Sequence, residues 1–377
     1  MQKTRRAVLI GVYLLTILFC LPAGAAEEPA VSARSAVLMD RDSKRILWKK
    51  NAHRRRPIAS TTKIMTALLA LERGHEEDRV VTGRAAAETG GSSIWLERGE
   101  KKTLGELLYG LMLCSGNDAA VAIAEHIGGS EKKFVALMNE RAQSLGAKNT
   151  HFNNPHGLPD DDHYSTAHDL GLITCAALEN RRFREIITTP VCSISWPGRS
   201  WDRILSNQNK LLESYPGGDG VKTGWTEKAG RCFVGSATRK RWQLVCVVLN
   251  APGMWEDTVI LLDYGFKRYR RQKILASHRV LCTAEVAGGR QRVELALDDA
   301  LYYPLRPCEK EALRYRIVLQ NRIKAPLKKG EKLGEVEFYL GKRFLGRVDL
   351  CANHAVQRKE YSDYLRHVII LLLQEGW

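Results

Sequence analysis

The sequence predicts an α/β (α+β) domain, followed by a small all-β domain and a C-terminal amphipathic helix. Between residues 30 and 275, strand-like runs at both ends enclose several stretches with helical periodicity. From 276 to 355, short alternating stretches are separated by glycine and proline, which is typical of a small sandwich or barrel. Residues 358–377 place apolar side chains at helical spacing. A chain of 377 residues is long enough for two such domains.

The first domain begins with a predicted hairpin, because residues 35–50 contain two short apolar runs around a polar turn. Its helices follow from apolar residues spaced three and four apart, as at Ile64, Ala67 and Leu68. The triplet Ser115-Gly116-Asn117 interrupts one of these helical stretches. The predicted elements after the hairpin are helices over 60–73, 104–127, 131–145, 168–188 and 256–270, and strands over 220–223, 232–237 and 242–249.

The second domain and the terminal segment have different patterns. Five alternating stretches predict the strands of the β domain, over 279–286, 291–297, 313–320, 333–340 and 343–350. In the terminal segment only Val368–Leu373 is continuously apolar, whereas a membrane span needs about 20 apolar residues. We expect this helix to lie on an anionic membrane surface, with Arg358, Lys359 and Arg366 facing the lipid. The alternative is a helix docked on the β domain.

Residues 1–25 have the pattern of a secretory signal peptide. Three basic residues precede an uncharged stretch over 7–21, and small residues then allow cleavage after Ala25. A retained membrane anchor is the alternative, although the stretch is short for a span. We therefore expect an exported, extracytoplasmic protein that is attached peripherally to the outer face of the cytoplasmic membrane.

The net charge limits the classes of partner that the protein is expected to bind. The net charge is +16, and it falls to +13 once the leader is removed, so anionic partners are favoured. Export disfavours nucleic acid and leaves anionic lipid or a wall polymer.

Eight cysteines remain after the leader is removed, and an even number in an exported protein allows disulfides. However, Cys175, Cys246 and Cys282 lie in apolar runs, so we expect most thiols to be free and buried. No spacing matches a metal site, and no cofactor is expected.

Ser60-Thr61-Thr62-Lys63 is the first motif that carries catalytic chemistry. Ser60 stands at the start of a predicted helix, so Lys63 lies one turn further on the same face. A serine is a weak nucleophile that needs a base, and a lysine can be that base if its pKa falls toward neutral. On its own S-x-x-K is a weak signal, because it also arises as a simple helix cap with a solvated lysine.

Two further motifs follow. Ser115-Gly116-Asn117, with Asp118 next to it, has either a capping role or a catalytic one. Lys222-Thr223-Gly224 lies on a strand-like run, where Lys222 is a candidate second cation that lowers the pKa of Lys63. Gly224 lets a ligand backbone lie against the strand edge. The three motifs in this order are far more specific than any one alone, and they form the serine-lysine constellation of penicillin-recognising enzymes.

Four longer stretches carry a resemblance to a known family. They are Ile58–Leu68 (IASTTKIMTAL), Leu111–Ala120 (LMLCSGNDAA), Asn154–Leu158 (NPHGL) and Asp219–Gly235 (DGVKTGWTEKAGRCFVG). These stretches resemble the D-alanyl-D-alanine carboxypeptidases, the low-molecular-weight penicillin-binding proteins of the S11 peptidase family. The resemblance is dense over 35–275 and continues through the β domain. It implies a serine-type transpeptidase/β-lactamase-like catalytic domain that trims the terminal D-alanine of peptidoglycan stem pentapeptides and is acylated by β-lactams.

The resemblance also implies a role for each matching residue around the serine. Ser60 attacks the carbonyl between the two D-alanines and forms an acyl-enzyme, while Lys63 takes its proton. Ser115 relays a proton to the leaving amine, and Asn117 holds the substrate amide. Water then releases the shortened peptide.

The strand that carries the third motif is implied to bind the substrate. Lys222 tunes the electrostatics, Thr223 binds the terminal carboxylate, and Gly224 completes the motif. The backbone N–H groups of Ser60 and Trp225 form the oxyanion hole, whose donors are typically worth about 10²–10³ in rate each.

One departure from the family concerns the substrate carboxylate. Some members carry an arginine in the turn after the strand that follows K-T-G, but here the turn over 250–257 has none. Arg239 and Arg241 lie before that strand, so the partner of Thr223 stays open.

Three other functions fit parts of the pattern. A class A β-lactamase needs a glutamate-directed water, and no E-x-x-L-N segment lies between the second and third motifs. A D,D-endopeptidase that cuts peptide cross-links would use the same groups, so the sequence does not separate it from a carboxypeptidase. All the named groups are intact, which disfavours a catalytically silent wall-binding protein. His156 lies in an Asn-Pro-His-Gly turn and is expected to be structural.

Overall fold

The structure, a computed structural model, describes residues 28–363, 365 and 369. The expected signal peptide over 1–25 lies outside these residues, and so does most of the expected membrane-surface helix over 358–377. Within the described part of the chain, no helix is long and apolar enough to cross a bilayer.

The elements of the first domain begin with a hairpin and end with a long helix. Its strands are β1 (Ser35–Asp40), β2 (Ile46–Lys50), β3 (Arg79–Val81), β4 (Lys101–Thr103), β5 (Val191–Ile194), β6 (Arg203–Ser206), β7 (Gly218–Thr226), β8 (Gly230–Arg239) and β9 (Trp242–Leu249). Its α-helices are α1 (Lys63–Arg73), α2 (Arg84–Ala87), α3 (Leu104–Leu113), α4 (Asn117–Gly128), α5 (Glu131–Ser144), α6 (Ala167–Ala177), α7 (Arg181–Thr188), α8 (Leu211–Ser214) and α9 (Met254–Arg268).

A five-stranded antiparallel sheet of order β2-β1-β9-β8-β7 divides the core of this domain into two layers. Successive side chains of a strand point to opposite faces, so one strand serves both layers. Val37 and Val247 pack with the helices α1 and α3 to α7, whereas Leu38 and Val248 pack against α9. β7 is an edge strand, which leaves one side of it open beside the helical layer.

One helix prediction is wrong. The single helix expected over 168–188 is two helices, α6 and α7, because Asn180 caps the start of the second. Its side-chain oxygen accepts hydrogen bonds from the N–H groups of Arg182 (2.8 Å) and Phe183 (3.1 Å). The antiparallel hairpin β5–β6 and the pair β3–β4 were not predicted, since their strands are only three or four residues long and rich in polar side chains.

The second domain is all-β, as predicted, and contains all five expected strands. Its strands are β10 (Arg270–Leu275), β11 (Val280–Ala284), β12 (Val293–Ala296), β13 (Leu301–Leu305), β14 (Leu313–Leu319), β15 (Lys332–Leu340) and β16 (Arg343–Ala352). Five of them form a sheet of order β11-β12-β16-β15-β14, and β10 pairs with β13. The expected domain boundary between 275 and 276 thus falls at the far end of β10, whose partner lies in the second domain.

The cysteines of the described residues are all unpaired thiols. Four of them are buried, and there they pack as small apolar side chains: Cys175, Cys232, Cys246 and Cys351.

Candidate active site

Ser60 and Lys63 meet at the start of α1. Ser60 lies in a 3₁₀ turn over Ala59–Thr62, and Lys63 is the first residue of the α-helix. The Lys63 Nζ lies 3.0 Å from the Ser60 Oγ, and the lysine side chain is completely buried. Ala59 has a φ of 47°, a left-handed conformation that costs an alanine about 1–3 kcal/mol. The turn that presents the serine is therefore held in place by its surroundings.

The environment of Lys63 favours its neutral form. Its Nζ lies 2.7 Å from the Asn117 Oδ1 and 2.8 Å from the His156 carbonyl oxygen, and both oxygens can only accept hydrogen bonds. Burial, and secondly the positive charge of Lys222, lower the pKa of Lys63 well below its usual value. A neutral amine has two N–H bonds and one lone pair. When the amine is neutral and its N–H groups serve these two oxygens, the lone pair faces the Ser60 hydroxyl, which is the arrangement of a general base.

The second motif forms the turn between α3 and α4. Ser115 has a φ of 65° and is 4% exposed, and its hydroxyl has no hydrogen-bond partner within the described residues. Asn117 opens α4, and its Nδ2 donates to the Gly90 carbonyl oxygen at 2.6 Å, which fixes the orientation of the amide. The turn thus presents one free hydroxyl and one amide oxygen that is bound to Lys63.

The third motif lies on β7, the open edge of the sheet. Lys222 is 1% exposed, burial lowers its pKa to about 7, and its Nζ donates to the Thr223 carbonyl oxygen at 3.1 Å. A β carbon on Gly224 would lie 2.9 Å from the backbone nitrogen of Ser60, so only glycine allows the strand to approach the serine turn this closely. Trp225 follows with 67% of its surface exposed. The structure therefore brings the first and third motifs into contact.

The Asn-Pro-His-Gly turn supports the serine turn through its backbone, a role that the sequence did not reveal. The His156 carbonyl oxygen accepts from Lys63, as described above. Gly157 has a φ of 90°, and a β carbon there would lie 1.9 Å from the Ala59 carbonyl oxygen. Burial, and secondly the charge of Lys63, lower the pKa of the His156 imidazole to about 3, so it stays neutral. Its Nδ1 accepts from the Leu158 N–H at 3.1 Å.

Asp118 organises a loop beside the site. Its carboxylate accepts hydrogen bonds from the Ser93 hydroxyl (2.6 Å) and from the N–H groups of Ile94 (3.0 Å) and Leu96 (3.0 Å). The Asp118 Oδ1 also accepts from the Ala119 N–H at 2.8 Å, so the carboxylate positions the loop against the start of α4.

Arg231 and Arg239 lie on the same face of β8, near its opposite ends. Arg239 packs on the rings of Tyr215 (4.6 Å) and Phe266 (4.7 Å) on the side of the sheet that α9 covers. Arg231 lies directly opposite Trp225 across β7 and β8, so its side chain emerges on the same face as that of Thr223. The Arg231 Nη1 donates to the Pro252 carbonyl oxygen at 3.1 Å, inside the turn where the sequence has no arginine.

A serine beside a buried lysine amine whose pKa is lowered, with a lysine-bearing strand edge against it, defines a serine-type acyl-transfer enzyme. Within the described residues, no cluster of His, Cys, Asp and Glu side chains is arranged to hold a metal ion.

Comparisons with known proteins identify the family. The D-alanyl-D-alanine carboxypeptidase family S11 matches residues 23–253, and the C-terminal domain of penicillin-binding protein 5 matches 269–358. The D-alanyl-D-alanine carboxypeptidase DacF of Bacillus subtilis is 34% identical over 98% of both chains. DacA of Escherichia coli is 32% identical over 83% of this chain and 80% of its own. The crystal structure of penicillin-binding protein 5 from Haemophilus influenzae is 30% identical and covers 89% of this chain and 100% of its own, with a TM-score of 0.73.

This chain belongs to the S11 peptidase family and is a serine-type D-Ala-D-Ala carboxypeptidase. The resemblance recognised in the sequence is thereby confirmed.

Proposed function

We propose that the enzyme removes the terminal D-alanine of peptidoglycan stem pentapeptides through an acyl-enzyme on Ser60, and that β-lactams acylate the same serine. The observation that carries this proposal is the buried Lys63 amine, which lies 3.0 Å from the Ser60 Oγ and also contacts the Asn117 Oδ1 and the His156 carbonyl oxygen. The lone pair accepts the hydroxyl proton as the Ser60 oxygen attacks the carbonyl between the two D-alanines.

The neighbouring groups complete the reaction. The free Ser115 hydroxyl relays the proton that Lys63 took from Ser60 to the leaving amine, and Asn117 binds the amide of the acyl part. The close approach of β7 to the serine turn supports an oxyanion hole between the N–H groups of Ser60 and Trp225. Water then hydrolyses the ester and frees Ser60.

The terminal carboxylate needs a cationic partner in addition to Thr223 and Lys222. We propose Arg231, whose side chain shares a face of the sheet with Thr223. Replacing Arg231 with Gln should raise KM for a D-Ala-D-Ala peptide about tenfold, because one charge-assisted hydrogen bond is worth roughly 1.5 kcal/mol. Steady-state kinetics measure this effect, with Arg239→Gln as the control. An unchanged KM would reject Arg231 as the carboxylate partner.

A β-lactamase is disfavoured by the surroundings of the serine. Within residues 28–363, no carboxylate hydrogen-bonds to Ser60 or Lys63, and the nearby Asp118 already binds the loop. A penicilloyl ester should therefore persist. An endopeptidase that cuts cross-links remains the second candidate, because the same groups would serve it.

The deciding experiment compares the mature chain with Ser60→Ala on a stem pentapeptide ending in D-Ala-D-Ala. Release of free D-alanine that is lost both in the variant and after penicillin treatment supports the proposal. Absence of release with a stable penicillin adduct on Ser60 would point to a cross-linked substrate. Absence of both would reject acyl transfer at this serine.

We also propose that the enzyme is exported and held at the outer face of the cytoplasmic membrane by its last segment. This proposal rests on the leader pattern of 1–25 and on the amphipathic pattern of 358–377. Deleting 358–377 should release the protein from anionic vesicles in a sedimentation assay. Unchanged binding would contradict this role of the segment.

A further inference from the structure

An open cavity of about 570 Å³ adjoins the active site, and its size is within the usual range for ligand sites. We call it the side cavity. One wall is the loop over 87–97, and the other is the tip of the β5–β6 hairpin. The residues that line the side cavity include Gly90, Gly91, Trp95, Glu97, Trp196 and Arg199.

Two glycines that line the side cavity contact Asn117, the residue that binds Lys63. Asn117 donates its side-chain N–H to the Gly90 carbonyl oxygen at 2.6 Å and its backbone N–H to the Ser92 carbonyl oxygen at 2.7 Å. Gly91 has a φ of 86°, and a β carbon there would lie 2.6 Å from the Asn117 Nδ2. Under the proposed function, β7 holds the departing D-alanine and Asn117 holds the acyl part. The acyl part therefore continues past Asn117 toward this cavity.

Buried polar contacts tie the two walls together. Arg203 of the hairpin donates to the Trp95 carbonyl oxygen at 3.0 Å and pairs with Glu100 at 3.0 Å. Lys102 is completely buried, and its Nζ donates to the Ser195 carbonyl oxygen and to the Ser195 Oγ, the latter at 2.9 Å. A cavity braced in this way is formed before the ligand arrives, so binding costs little ordering.

Two charged side chains of the side cavity are unpaired. Arg199 lies over the rings of Trp196 (5.7 Å) and Trp201 (5.9 Å) but has no carboxylate partner in the part of the chain that is described. Glu97 is exposed and has no cationic partner there either. The remaining acid of the cavity, Glu88, is already paired with Arg84 at 2.8 Å.

The free base and the free acid line the same cavity as an exposed apolar side chain. Trp95 is 70% exposed, although an indole of this size is usually packed away. A ligand that satisfies all three groups has an aliphatic stem, a carboxylate and an ammonium group. These groups occur together in an amino acid whose side chain ends in a carbon that carries both an ammonium group and a carboxylate.

We propose that the side cavity binds the zwitterionic end of a diamino acid side chain on the acyl side of the stem peptide, as in diaminopimelate. Arg199 pairs with the carboxylate, Glu97 pairs with the ammonium group, and Trp95 packs against the methylene groups. A lysine at the same position supplies the ammonium group alone. The proposal rests on the proposed function, since it assigns the residue that precedes the two D-alanines.

The test measures kcat/KM for D-alanine release from three pentapeptides that differ at the third residue: diaminopimelate, diaminopimelate with its side-chain carboxylate amidated, and lysine. The wild-type enzyme should prefer the first about tenfold, which corresponds to one ionic hydrogen bond. Arg199→Gln should remove this preference and leave the lysine peptide unaffected. Glu97→Gln should lower kcat/KM for all three by a similar factor. Arg98→Gln, on the same loop but outside the cavity, is the matched control.

Two results would overturn the assignment. The first is equal wild-type rates on the free and amidated diaminopimelate peptides. The second is an Arg199→Gln effect that disappears when the neighbouring D-glutamate is replaced with D-isoglutamine, because the carboxylate would then belong to that residue. Failure of the proposed function looks different: the wild-type enzyme would release no D-alanine from any peptide. Penicillin acylation of each variant at the wild-type rate would show that Ser60 is unaffected.

Discussion

Two pairs of buried cationic side chains in the first domain differ in whether a carboxylate contacts them. Lys63 and Lys222 contact only carbonyl and hydroxyl oxygens among the described residues. Lys102 and Arg203, which brace the side cavity, share the carboxylate of Glu100 at 3.5 Å and 3.0 Å. All four side chains are at most 4% exposed.

The difference shows what burial does to a cation. A buried charge without a counter-ion is costly, so the group sheds its proton instead, and a lysine becomes a base. A buried charge beside a carboxylate keeps its charge and fixes the positions of both partners. The same residue type therefore serves catalysis in one place and rigidity in the other.

The largest expected effect comes from removing the base. Lys63→Met should slow penicillin acylation by about 10²–10⁴-fold, because Ser60 loses the group that takes its proton. The fold should remain, since no carboxylate is left unpaired. Acylation is measured with a labelled penicillin and unfolding with urea, and Lys228→Met is the control for a lysine near the site. Acylation at the wild-type rate would show that another group is the base.

The second prediction concerns Lys102 and Arg203. Removing their carboxylate would leave two buried cations without a shared counter-ion, as in the catalytic pair. Glu100→Gln leaves Lys102 and Arg203 buried without their shared carboxylate, so the free energy of unfolding should fall by about 3 kcal/mol. Penicillin acylation by the folded protein should change much less than in Lys63→Met.

The pH dependence of unfolding sharpens this prediction. Burial raises the pKa of Glu100, but its hydrogen bonds with Arg203 and with the Glu97 N–H outweigh burial and keep the pKa below its usual value. A carboxyl group whose pKa is lowered in the folded state stabilises the fold at pH values above its usual pKa. This stabilisation is lost as the pH falls through the pKa of the folded state. The gap in stability between the wild-type protein and Glu100→Gln should therefore narrow in acid. A gap that is constant with pH would contradict an ionised Glu100.

The smallest effect concerns the second catalytic cation. Its charge lowers the pKa of Lys63, so Lys222→Met should raise that pKa and move the acidic limb of penicillin acylation to higher pH. The acylation rate between about pH 5 and 9 tests this shift. The effect should be clearest on the acid side, because the pKa of Lys222 itself is about 7. A limb that stays in place would mean that burial alone sets the pKa of Lys63.

The sequence predicted the parts of the fold that repeat a regular pattern. The strands of both large sheets follow from alternation, and the meeting of Ser60 and Lys63 follows from a spacing of three residues at a helix start. Neither the β5–β6 hairpin nor the loop fixed by Asp118 has such a pattern. Their positions depend on contacts between residues far apart in the chain, such as Arg203 with Glu100.

The use of a backbone atom was also hidden from the sequence. His156 was expected to be structural, yet its carbonyl oxygen binds the catalytic lysine, and every residue type has such an oxygen. The only sequence signal is the glycine that follows, because Gly157 permits the tight approach to Ala59.

The loop held by Asp118 has a consequence for how such enzymes diverge. Buried and exposed residues alternate along it: Ile94 and Leu96 are buried and bonded to Asp118 of α4, whereas Trp95 and Glu97 are exposed. Substitutions at exposed positions usually change stability by less than about 0.5 kcal/mol. After gene duplication, the exposed residues of this loop can therefore change, and with them the cell-wall peptides that the enzyme recognises, while Ser60 and Lys63 stay the same.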